Sequence, residues 1–283
     1  LVGGTGVLVG GGTGVLVGSG TGVSVGAVAA VGVRVAVGVA VVARVGVRTF
    51  AALSGVDPAH VLVAGLGGVG SFCAEALARA GVGALTLIDH DVVAASNINR
   101  QLPALLSTVG QPKAELMAAR VRDINPECRL TVVRDFLVPE SMAEQIPEGL
   151  DFVVDCIDSL NCKVALVVHA VERGIPVASS MGAGNKLDPG RIRIEDIAKT
   201  RVCPLAAVMR KRLRKRGIPK GVLTVFSDEA GRAPLPPQPV EGRGRARAVN
   251  GTISYMPPLF GLMLAGAVIE RLIAAHPGRA AGL

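Results

Sequence analysis

A short apolar run that ends in spaced glycines constrains the fold of this chain more than any other feature. Residues 61–64 are Val-Leu-Val-Ala, and Gly65, Gly67 and Gly70 follow in a G-x-G-x-x-G pattern before a helix predicted over Ser71–Ala80. Glycines at this spacing let backbone N–H groups approach a phosphate at a helix N-terminus. The pattern therefore predicts a strand, a tight turn and a helix that together bind a phosphate.

A second apolar run ends in acidic residues. Residues 85–88 are Leu-Thr-Leu-Ile, and Asp89 and Asp91 follow. Asp89 lies 19 residues beyond Gly70, about where a doubly wound fold places the carboxylate that binds a ribose hydroxyl. The two runs predict nucleotide binding, although many mononucleotide and dinucleotide sites share this pattern.

Polar and cationic side chains after the second apolar run indicate which kind of nucleotide the site binds. Asn97, Asn99, Arg100 and Gln101 follow closely, and Lys113 opens a predicted helix. A dinucleotide-dependent oxidoreductase needs the glycines and Asp89 but has no general need for these donors. Guanidinium, ammonium and amide groups stabilise charge that shifts between phosphate oxygens, so this set favours a triphosphate.

A third apolar strand, predicted over Asp151–Cys156, also has acids at its carboxyl end. Asp155 and Asp158 form a D-C-x-D motif there. Ligands of open α/β sheets bind at the carboxyl ends of strands, and carboxylates are typical Mg²⁺ ligands. We expect Asp158 to hold Mg²⁺ on the triphosphate, with Asp91 as a second candidate, whereas Asp155 is also consistent with a turn cap.

These motifs resemble the adenylating domain shared by ubiquitin-activating enzymes and the ThiF, MoeB and HesA proteins. Within that superfamily the chain is most similar to the tRNA threonylcarbamoyladenosine dehydratases, over about residues 58–275. The stretches that carry this narrower resemblance are Ala76–Gly83, Ile124–Cys128, Asp155–Ser159, Asp196–Thr200 and Pro204–Ala206.

The resemblance implies that the chain uses ATP and Mg²⁺ to adenylate a carboxylate, here the threonyl carboxylate of a modified tRNA adenosine. It implies catalytic roles for Arg100, Lys113 and Asp158. The implied nucleotide-binding residues are Gly65, Gly67, Gly68, Gly70, Asp89, Asp91, Asn97, Asn99 and Gln101. Relatives are homodimers in which an N-terminal arginine reaches the partner protomer's ATP, and here Arg44 and Arg48 are the candidates, in a poor match.

The N-terminal 42 residues differ in composition from the rest. The motif Gly-Thr-Gly-Val-Leu/Ser-Val-Gly begins at Gly4, Gly12 and Gly20, and the first charged residue is Arg34. No charged n-region precedes the apolar stretch, so it is a poor signal peptide. A glycine-rich chain loses much entropy on ordering and buries little, so we interpret residues 1–42 as low-complexity, disordered or the product of a mis-set start.

Alternation of apolar strands and helices predicts an α/β fold with a doubly wound, mostly parallel sheet. Residues 43–275 are the predicted adenylating domain and 276–283 a tail. The remaining predicted helices are 112–124, 139–146, 163–173 and 259–274, and the remaining predicted strands are 129–134, 175–179 and 251–255. Residues 181–184 are interpreted as a loop, with or without a substrate contact.

The cysteines argue against a disulfide framework. Five are scattered without a C-x-x-C pair, which favours a reducing cytoplasm and excludes a four-thiolate zinc site. Because the molybdopterin-pathway activators commonly carry such a site, its absence favours the dehydratase branch. Each cysteine is more typical of a small core residue than of a nucleophile, and Cys203, within the basic segment, is the one to test.

Basic and acidic residues are unevenly distributed along the chain. Residues 191–283 contain 17 Lys/Arg against 6 Asp/Glu, whereas residues 1–190 contain 13 against 16. The density peaks in a predicted helix at Arg210, Lys211, Arg212, Arg214, Lys215 and Arg216. A solvated helix face would explain this run, but a one-sided basic cluster is also typical of phosphate-backbone contacts with tRNA. Scarce aromatic residues argue against base stacking.

The C-terminal part of the basic segment (residues 191–249) and the last helix complete the organisation. Residues 227–249, rich in Pro, Gly and Arg, predict a mobile loop. The last helix is uncharged only to Ile269, short of the roughly 20 residues of a membrane span, so we expect a core or dimer-interface helix and no stable membrane insertion.

Three other functions stay open at this point. A sulfur-carrier-activating enzyme would adenylate a protein's C-terminal glycine with the same chemistry, and a cysteine-desulfurase or sulfur-acceptor system would then be a partner. A dinucleotide-dependent oxidoreductase would leave Asn97–Gln101 and Lys113 unexplained. A catalytically silent binding protein would follow if the N-terminal arginine is absent.

Overall fold

Seven strands form one sheet at the centre of the described domain. The structure is a computed structural model that describes Val56 and residues 58–233, 235–238, 247–249 and 251–275, which all belong to one compact unit. The strand order is β3-β2-β1-β4-β5-β7-β6. The strands are β1 (His60–Ala64), β2 (Ala84–Ile88), β3 (Arg129–Val133), β4 (Phe152–Asp155), β5 (Val177–Ser180), β6 (Ile192–Asp196) and β7 (Leu223–Ser227).

Helices cover the sheet, and a separate two-stranded sheet follows it in the chain. The helices are α1 (Gly70–Arg79), α2 (Lys113–Ile124), α3 (Met142–Gln145), α4 (Leu160–Glu172), α5 (Pro204–Arg214) and α6 (Met256–Ala275). Short 3₁₀ turns lie at Ala95–Asn97, Leu106–Thr108, Pro189–Arg191 and Ile197–Lys199. Strands β8 (Leu235–Gln238) and β9 (Arg247–Val249) pair in antiparallel fashion.

The strand order reverses at β1, and this reversal positions the functional site. Strand β1 pairs in parallel with β2 on one side and with β4 on the other. Connections from β1 and from β4 therefore leave in opposite directions, which opens a crevice at the carboxyl ends of these strands. At the far edge, β6 pairs with β7 in antiparallel fashion, so the sheet is mostly parallel.

Alternating side chains of each strand enter two separate hydrophobic clusters. Val61 and Val63 of β1 belong to the cluster that includes α1, α2 and α6, whereas Leu62 and Ala64 belong to the cluster that includes α3, α4 and α5. This division follows from the two-residue period of a strand. Because both faces are covered, the central strands are continuous apolar runs.

The last helix packs closely on the first. A Cβ atom at Gly261 of α6 would lie 2.2 Å from the backbone oxygen of Val69, just before α1. Phe260, Leu264 and Val268 of α6 are fully buried in the cluster on this face. Although α6 is long and apolar enough by composition to cross a membrane, one of its sides is therefore committed to the domain core.

The predicted fold class, an α/β fold with a mostly parallel sheet, is confirmed. Several elements differ from the expectation. Strands β6 and β7 were not predicted, and no strand forms over the predicted 251–255. The helix predicted at 139–146 is the single turn α3, and α5 ends at Arg214, so Lys215 and Arg216 lie beyond it.

The segment predicted as a mobile loop, 227–249, contains the β8–β9 pair. Residues 1–42, the tail 276–283 and the candidate arginines Arg44 and Arg48 lie outside the described residues. The predicted domain boundaries therefore stay predictions.

Two glycines of α6 provide a matched test of its close approach to α1. Replacing Gly261 by Ala should lower the free energy of unfolding by about 1–3 kcal/mol, because the new methyl group overpacks against backbone. Replacing Gly266, which has open space around its Cβ position, should raise it by about 0.5–1 kcal/mol through helix propensity. Urea unfolding of both variants measures the difference, and stabilisation by Gly261→Ala would contradict the packing described.

Candidate active site

A cavity of ≈ 330 Å³ lies at the carboxyl ends of β1, β2, β4 and β5. This volume is within the usual range for small-molecule sites, about 300–1,000 Å³. Most of the residues predicted to form the site line it together: Gly65, Gly67, Gly68, Asp89, Asp91, Arg100, Gln101, Lys113 and Asp158. Residues 180–184, at the end of β5 and in the loop after it, also line the cavity.

The glycine turn is shaped by close backbone contacts. Gly65 has φ +85°, and a Cβ atom there would lie 2.8 Å from the carbonyl oxygen of Cys156. A Cβ atom at Gly70 would lie 1.7 Å from the carbonyl oxygen of Gly65. Gly70 therefore allows α1 to pack on the end of β1 and is not itself part of the cavity wall, whereas Gly67 and Gly68 are.

Asp89 stabilises the glycine turn through hydrogen bonds to backbone N–H groups. Its carboxylate is nearly buried and accepts hydrogen bonds from the backbone N–H of Leu66 (2.6 Å) and of Asp91 (2.8 Å). Each carboxylate oxygen keeps a further lone pair. Asp89 therefore holds the turn in shape while it lines the cavity, a role that the predicted ribose contact did not include.

Lys113 and Asp91 form an ion pair at the cavity. Lys113 Nζ lies 2.8 Å from Asp91 Oδ2, and the lysine side chain is only 5% exposed. The other Asp91 oxygen lies 3.1 Å from His90 Nε2, and the His90 ring stacks edge-to-face on Phe136. The sequence did not single out His90, although it lies between the two acids.

Asp89, His90 and Asp91 place three potential metal-ligand atoms within 4.8 Å of one another. Both oxygens of Asp91 already have cationic or imidazole neighbours. Asp158, by contrast, is exposed at the cavity, which leaves its carboxylate accessible to an ion on a bound phosphate.

The polar residues 97–101 divide into two functions. Asn97 Oδ1 accepts from Ala94 N–H at 3.1 Å, and Asn99 Nδ2 donates to Thr252 O at 2.9 Å. These two side chains shape the loop and do not line the cavity, whereas Arg100 and Gln101 do. Arg100 donates to Asn99 Oδ1 and to Ser96 O, both at 2.9 Å.

Gln101 has an unused acceptor. Its Oε1 is buried and lacks a hydrogen-bond partner in the part of the chain that the structure describes. Its Nε2 lies 3.5 Å from the Cβ position of Gly67, so the amide rests against the glycine turn. Buried acceptors are usually satisfied, and this unsatisfied oxygen belongs to a residue that lines the cavity.

A buried ion pair supports the wall that carries Asp158. Asp155 is fully buried, and its Oδ2 accepts from Lys163 Nζ (2.7 Å) and from Ser179 Oγ (2.5 Å). Its Oδ1 accepts from Ile157 N–H at 3.1 Å. The carboxylate thus links β4, β5 and α4, and it fixes the backbone of the loop before Asp158.

Sequence reasoning missed Lys163, but a signal was present. It is a lone lysine in the apolar helix Leu-Asn-Cys-Lys-Val-Ala-Leu-Val-Val, eight residues after Asp155. A lysine on a buried helix face requires an acidic partner, and the preceding strand ends in one.

The cysteines are poorly suited to thiolate chemistry. Cys156 and Cys162 line the cavity, but burial raises the pKa of Cys156 well above its ordinary value. Burial also raises the pKa of Cys73 to about 12. Cys203 is buried at the start of α5, and all five cysteines are free thiols. Thiols in such surroundings are inert, as expected for core residues.

The predicted basic cluster lies on and just beyond α5. Ala206, Met209 and Leu213 are buried on one side of this helix, and the cations occupy the other. Arg210 donates to Thr200 O at 2.7 Å and Arg212 to Asn161 Oδ1 at 2.5 Å. The remaining members, Lys211, Arg214, Lys215 and Arg216, are exposed.

Helix α5 also reaches the cavity. Leu205, in its first turn, lines the cavity wall, as does Ser159, two residues before Asn161. Helix α5 therefore adjoins the cavity at its first turn, and the basic cluster follows along the same helix.

Comparisons with known proteins agree with this geometry. A family model described as the ThiF family matches residues 42–282. The tRNA threonylcarbamoyladenosine dehydratase of Bacillus subtilis (strain 168) is 54% identical over 170 residues, which are 60% of this chain and 67% of the relative. The crystal structure of the Escherichia coli tRNA N6-threonylcarbamoyladenosine dehydratase in complex with ATP is 39% identical, with a TM-score of 0.73 over 83% of this chain and 96% of that one.

A relative with a different activity matches over a shorter region. The molybdopterin-synthase adenylyltransferase of Escherichia coli (strain K12) is 38% identical over 135 residues, 48% of this chain and 53% of that protein. The similarity to the dehydratases thus extends over more of the chain and is closer.

The Asp155–Lys163 pair yields a stability prediction. Replacing Lys163 by Met should lower the free energy of unfolding by about 3–5 kcal/mol, because it leaves a buried carboxylate without its counter-charge. The double variant Lys163→Met/Asp155→Asn should recover part of the loss, since no buried charge remains. Urea unfolding with the exposed Lys220→Met as a control measures both, and a double variant no more stable than the single one would contradict this account.

Proposed function

The chain belongs to the ThiF family, and from that membership we propose that it is an ATP-dependent dehydratase that cyclises threonylcarbamoyladenosine in tRNA. It acts by adenylating the threonyl carboxylate. One observation carries the proposal: a glycine turn, two cations and the acids Asp89 and Asp158 line a single cavity. A cavity with this combination fits a nucleoside triphosphate.

The residues around the cavity fit the parts of ATP. Backbone N–H groups of the turn from Gly65 to Gly70, at the start of α1, suit the phosphates. Asp89 has lone pairs left for a ribose hydroxyl, and the unpartnered Gln101 Oε1 suits a ligand donor. Arg100 and Lys113 provide positive charge at the same wall.

We propose Asp158 as the ligand of a Mg²⁺ ion bound to the triphosphate, with Asp91 as a second ligand. Carboxylate oxygens are the protein ligands that Mg²⁺ prefers, and Asp158 is exposed to the cavity. The ion would neutralise phosphate charge. Asp91 becomes available only if Lys113 turns from it towards the phosphates.

In the first step, a carboxylate oxygen of the substrate attacks the α-phosphorus and displaces pyrophosphate. Arg100 and Lys113 stabilise the negative charge that accumulates on the phosphate oxygens in the transition state. The resulting acyl adenylate has a good leaving group.

In the second step, the carbamoyl nitrogen or oxygen of the same side chain attacks the activated carbonyl carbon. A ring closes, a proton is lost, and AMP leaves with one of the original carboxylate oxygens. The sum is loss of water from the substrate at the expense of ATP. No enzyme thioester is needed, which agrees with the buried cysteines at the cavity.

The basic cluster on α5 is the surface that we assign to tRNA. Its exposed members are free of acidic partners among the described residues, and α5 adjoins the cavity at Leu205. Phosphate contacts of this type supply affinity and position without reading sequence.

We also propose that the enzyme acts as a homodimer. Five apolar side chains of the segment between β2 and α2 are exposed: Val92, Ile98, Leu105, Leu106 and Val109. Exposed apolar side chains concentrated in one segment are typical of a protein interface, and the segment also carries Arg100 and Gln101. A cytoplasmic location and a sulfur-transfer partner remain predictions from the resemblance.

Activation of a sulfur-carrier protein is the alternative with the same first step. It needs a protein C-terminus as acceptor, and it gives no role to the basic surface on α5. The relative with that kind of activity matches a smaller share of the chain, so we rank this function second. A catalytically silent protein would follow if the N-terminal arginine is absent, and its candidates Arg44 and Arg48 lie outside the described residues. Gly67, Arg100 and Lys113 line the cavity, which favours an active enzyme.

Measurement of AMP release with three acceptors tests the proposal. We expect AMP with tRNA that carries threonylcarbamoyladenosine, and none with unmodified tRNA or with a ubiquitin-like sulfur carrier. Lys113→Ala should reduce the rate by at least about 100-fold, because it removes a charge that stabilises the transition state. AMP release with the carrier alone would overturn the proposal, and the exposed Lys220→Ala serves as the control.

The basic surface yields a separate prediction. The triple variant Arg214→Ala/Lys215→Ala/Arg216→Ala should raise the KM for modified tRNA by about tenfold or more, because three phosphate contacts are lost. The KM for ATP should not change. Steady-state kinetics with Arg122→Ala as a control checks this, and an unchanged KM for tRNA would show that α5 does not bind the RNA.

A further inference from the structure

Three arginines converge on one carboxylate beyond the end of β7. Asp228 lies 3.1 Å from Arg191 Nε, 3.2 Å from Arg193 Nε and 3.1 Å from Arg201 Nη2. The Arg191 hydrogen bond and the neighbouring positive charges hold the pKa of Asp228 below its usual value. The carboxylate therefore stays ionised and acts as a shared counter-ion.

The cluster carries excess positive charge and unused donors. Glu195 pairs with Arg201 at 2.9 Å, so three guanidinium groups share two carboxylates. The arginine side chains are 37–52% exposed, whereas that of Asp228 is 10% exposed. A guanidinium group has five N–H donors, and the Nη groups of Arg191 have no partner within the described residues. The Asp228 carboxylate is therefore covered by the three arginines, and the unpaired N–H donors of Arg191 are on the exposed side of the cluster.

The cluster lies at the same edge of the sheet as the cavity. Ile192 at the start of β6 pairs with Ser227 at the end of β7, so Arg191 and Asp228 are at the carboxyl edge of the parallel strands. Strand β6 is two strands from β5, a separation of about 10 Å at the usual interstrand spacing. The loop after β5 lines the cavity.

Two further contacts connect the cluster to its neighbours. Lys186, in the loop after β5, donates to Ser227 O at 2.8 Å, which ties that loop to the residue before Asp228. On the other side, Arg201 follows Thr200, whose carbonyl accepts from Arg210 of α5. The cluster therefore bridges the basic helix and the cavity loop.

We propose that the Arg191–Arg193–Arg201 cluster binds the phosphodiester backbone of the acceptor RNA beside the modified nucleotide. Held by Asp228, the guanidinium groups are oriented before the RNA arrives, so less side-chain entropy is lost on binding. The cluster positions the strand between α5 and the cavity and takes no part in the chemistry. This inference rests on the proposed function, because it takes tRNA as the acceptor.

Charged side chains on an edge strand have another common role. They discourage edge-to-edge pairing between sheets, and β6 is an edge strand. That role alone would leave RNA affinity and its salt dependence unchanged in variants of these arginines. The two roles are therefore separated by measurement of binding.

The test is the salt dependence of tRNA binding by Arg191→Ala/Arg193→Ala, measured by fluorescence anisotropy. We expect the slope of log K against log salt concentration to become shallower by about 1–2, since each single-strand phosphate contact contributes about 0.7. Affinity at moderate salt should fall about tenfold. The loss should be equal for modified and unmodified tRNA, because phosphate contacts carry no sequence information.

Matched variants complete the experiment. Arg191→Lys/Arg193→Lys keeps both charges and should retain most of the salt slope, whereas Arg122→Ala on α2 should have the wild-type slope. A wild-type slope in the double alanine variant would overturn the inference. Because the assay includes unmodified tRNA and needs no turnover, its outcome is independent of AMP release, so failure of the proposed function would be seen separately in the acceptor assay.

Discussion

The architecture of the site depends on one close approach between backbone segments. The start of α1 touches the end of β1, and the loop after β4 lies against the same point, because Gly65 and Gly70 have no side chains to separate them. Gly261 repeats this contact from α6. The β1–α1 turn, the loop after β4 and helix α6 are distant from one another in sequence. They are therefore held in van der Waals contact around the N-terminus of α1. In the proposed function, the N–H groups of that terminus bind the phosphates of ATP.

Electrostatics within the site is organised in two layers. Asp155 with Lys163 lies beneath the cavity wall and is fully withdrawn from solvent, whereas Lys113 with Asp91 lies at the cavity itself. The Asp155–Lys163 pair fixes backbone geometry, and both carboxylate oxygens already accept hydrogen bonds within the protein. In the Lys113–Asp91 pair the carboxylate is exposed and the ammonium group is nearly buried, so either group can exchange its partner for a ligand. A rigid support beneath an exchangeable pair is consistent with a site that binds and releases a highly charged substrate.

Much of this arrangement was predictable from the sequence, and the failures have physical causes. The central strands and α2 follow from apolar periodicity, and the cavity residues from motifs at strand ends. Strand β6 was missed because Arg193 and Glu195 interrupt the apolar pattern of a partly exposed edge strand. Strand β7 is internal and mostly buried, and it was missed although its sequence, Leu-Thr-Val-Phe-Ser, is largely apolar. Gly70, Asn97 and Asn99 were predicted to bind the nucleotide. They shape the turn and the loop and do not line the cavity, and their contact with the nucleotide stays a prediction. Lys163 was missed although the preceding strand ends in Asp155, because only the turn from β4 into α4 brings the two side chains within 2.7 Å of each other.

The Lys113–Asp91 pair has a thermodynamic consequence for the reaction cycle. A lysine without a counter-ion in a cavity would bind a triphosphate tightly, and it would bind the product pyrophosphate with similar affinity. In the proposed reaction, the ligand gains only the difference between its own attraction for Lys113 and that of Asp91, which lowers the net affinity. When pyrophosphate departs, Asp91 pairs with Lys113 again, as it does in this structure. The pair therefore leaves Lys113 compensated both before ATP binds and after pyrophosphate is released.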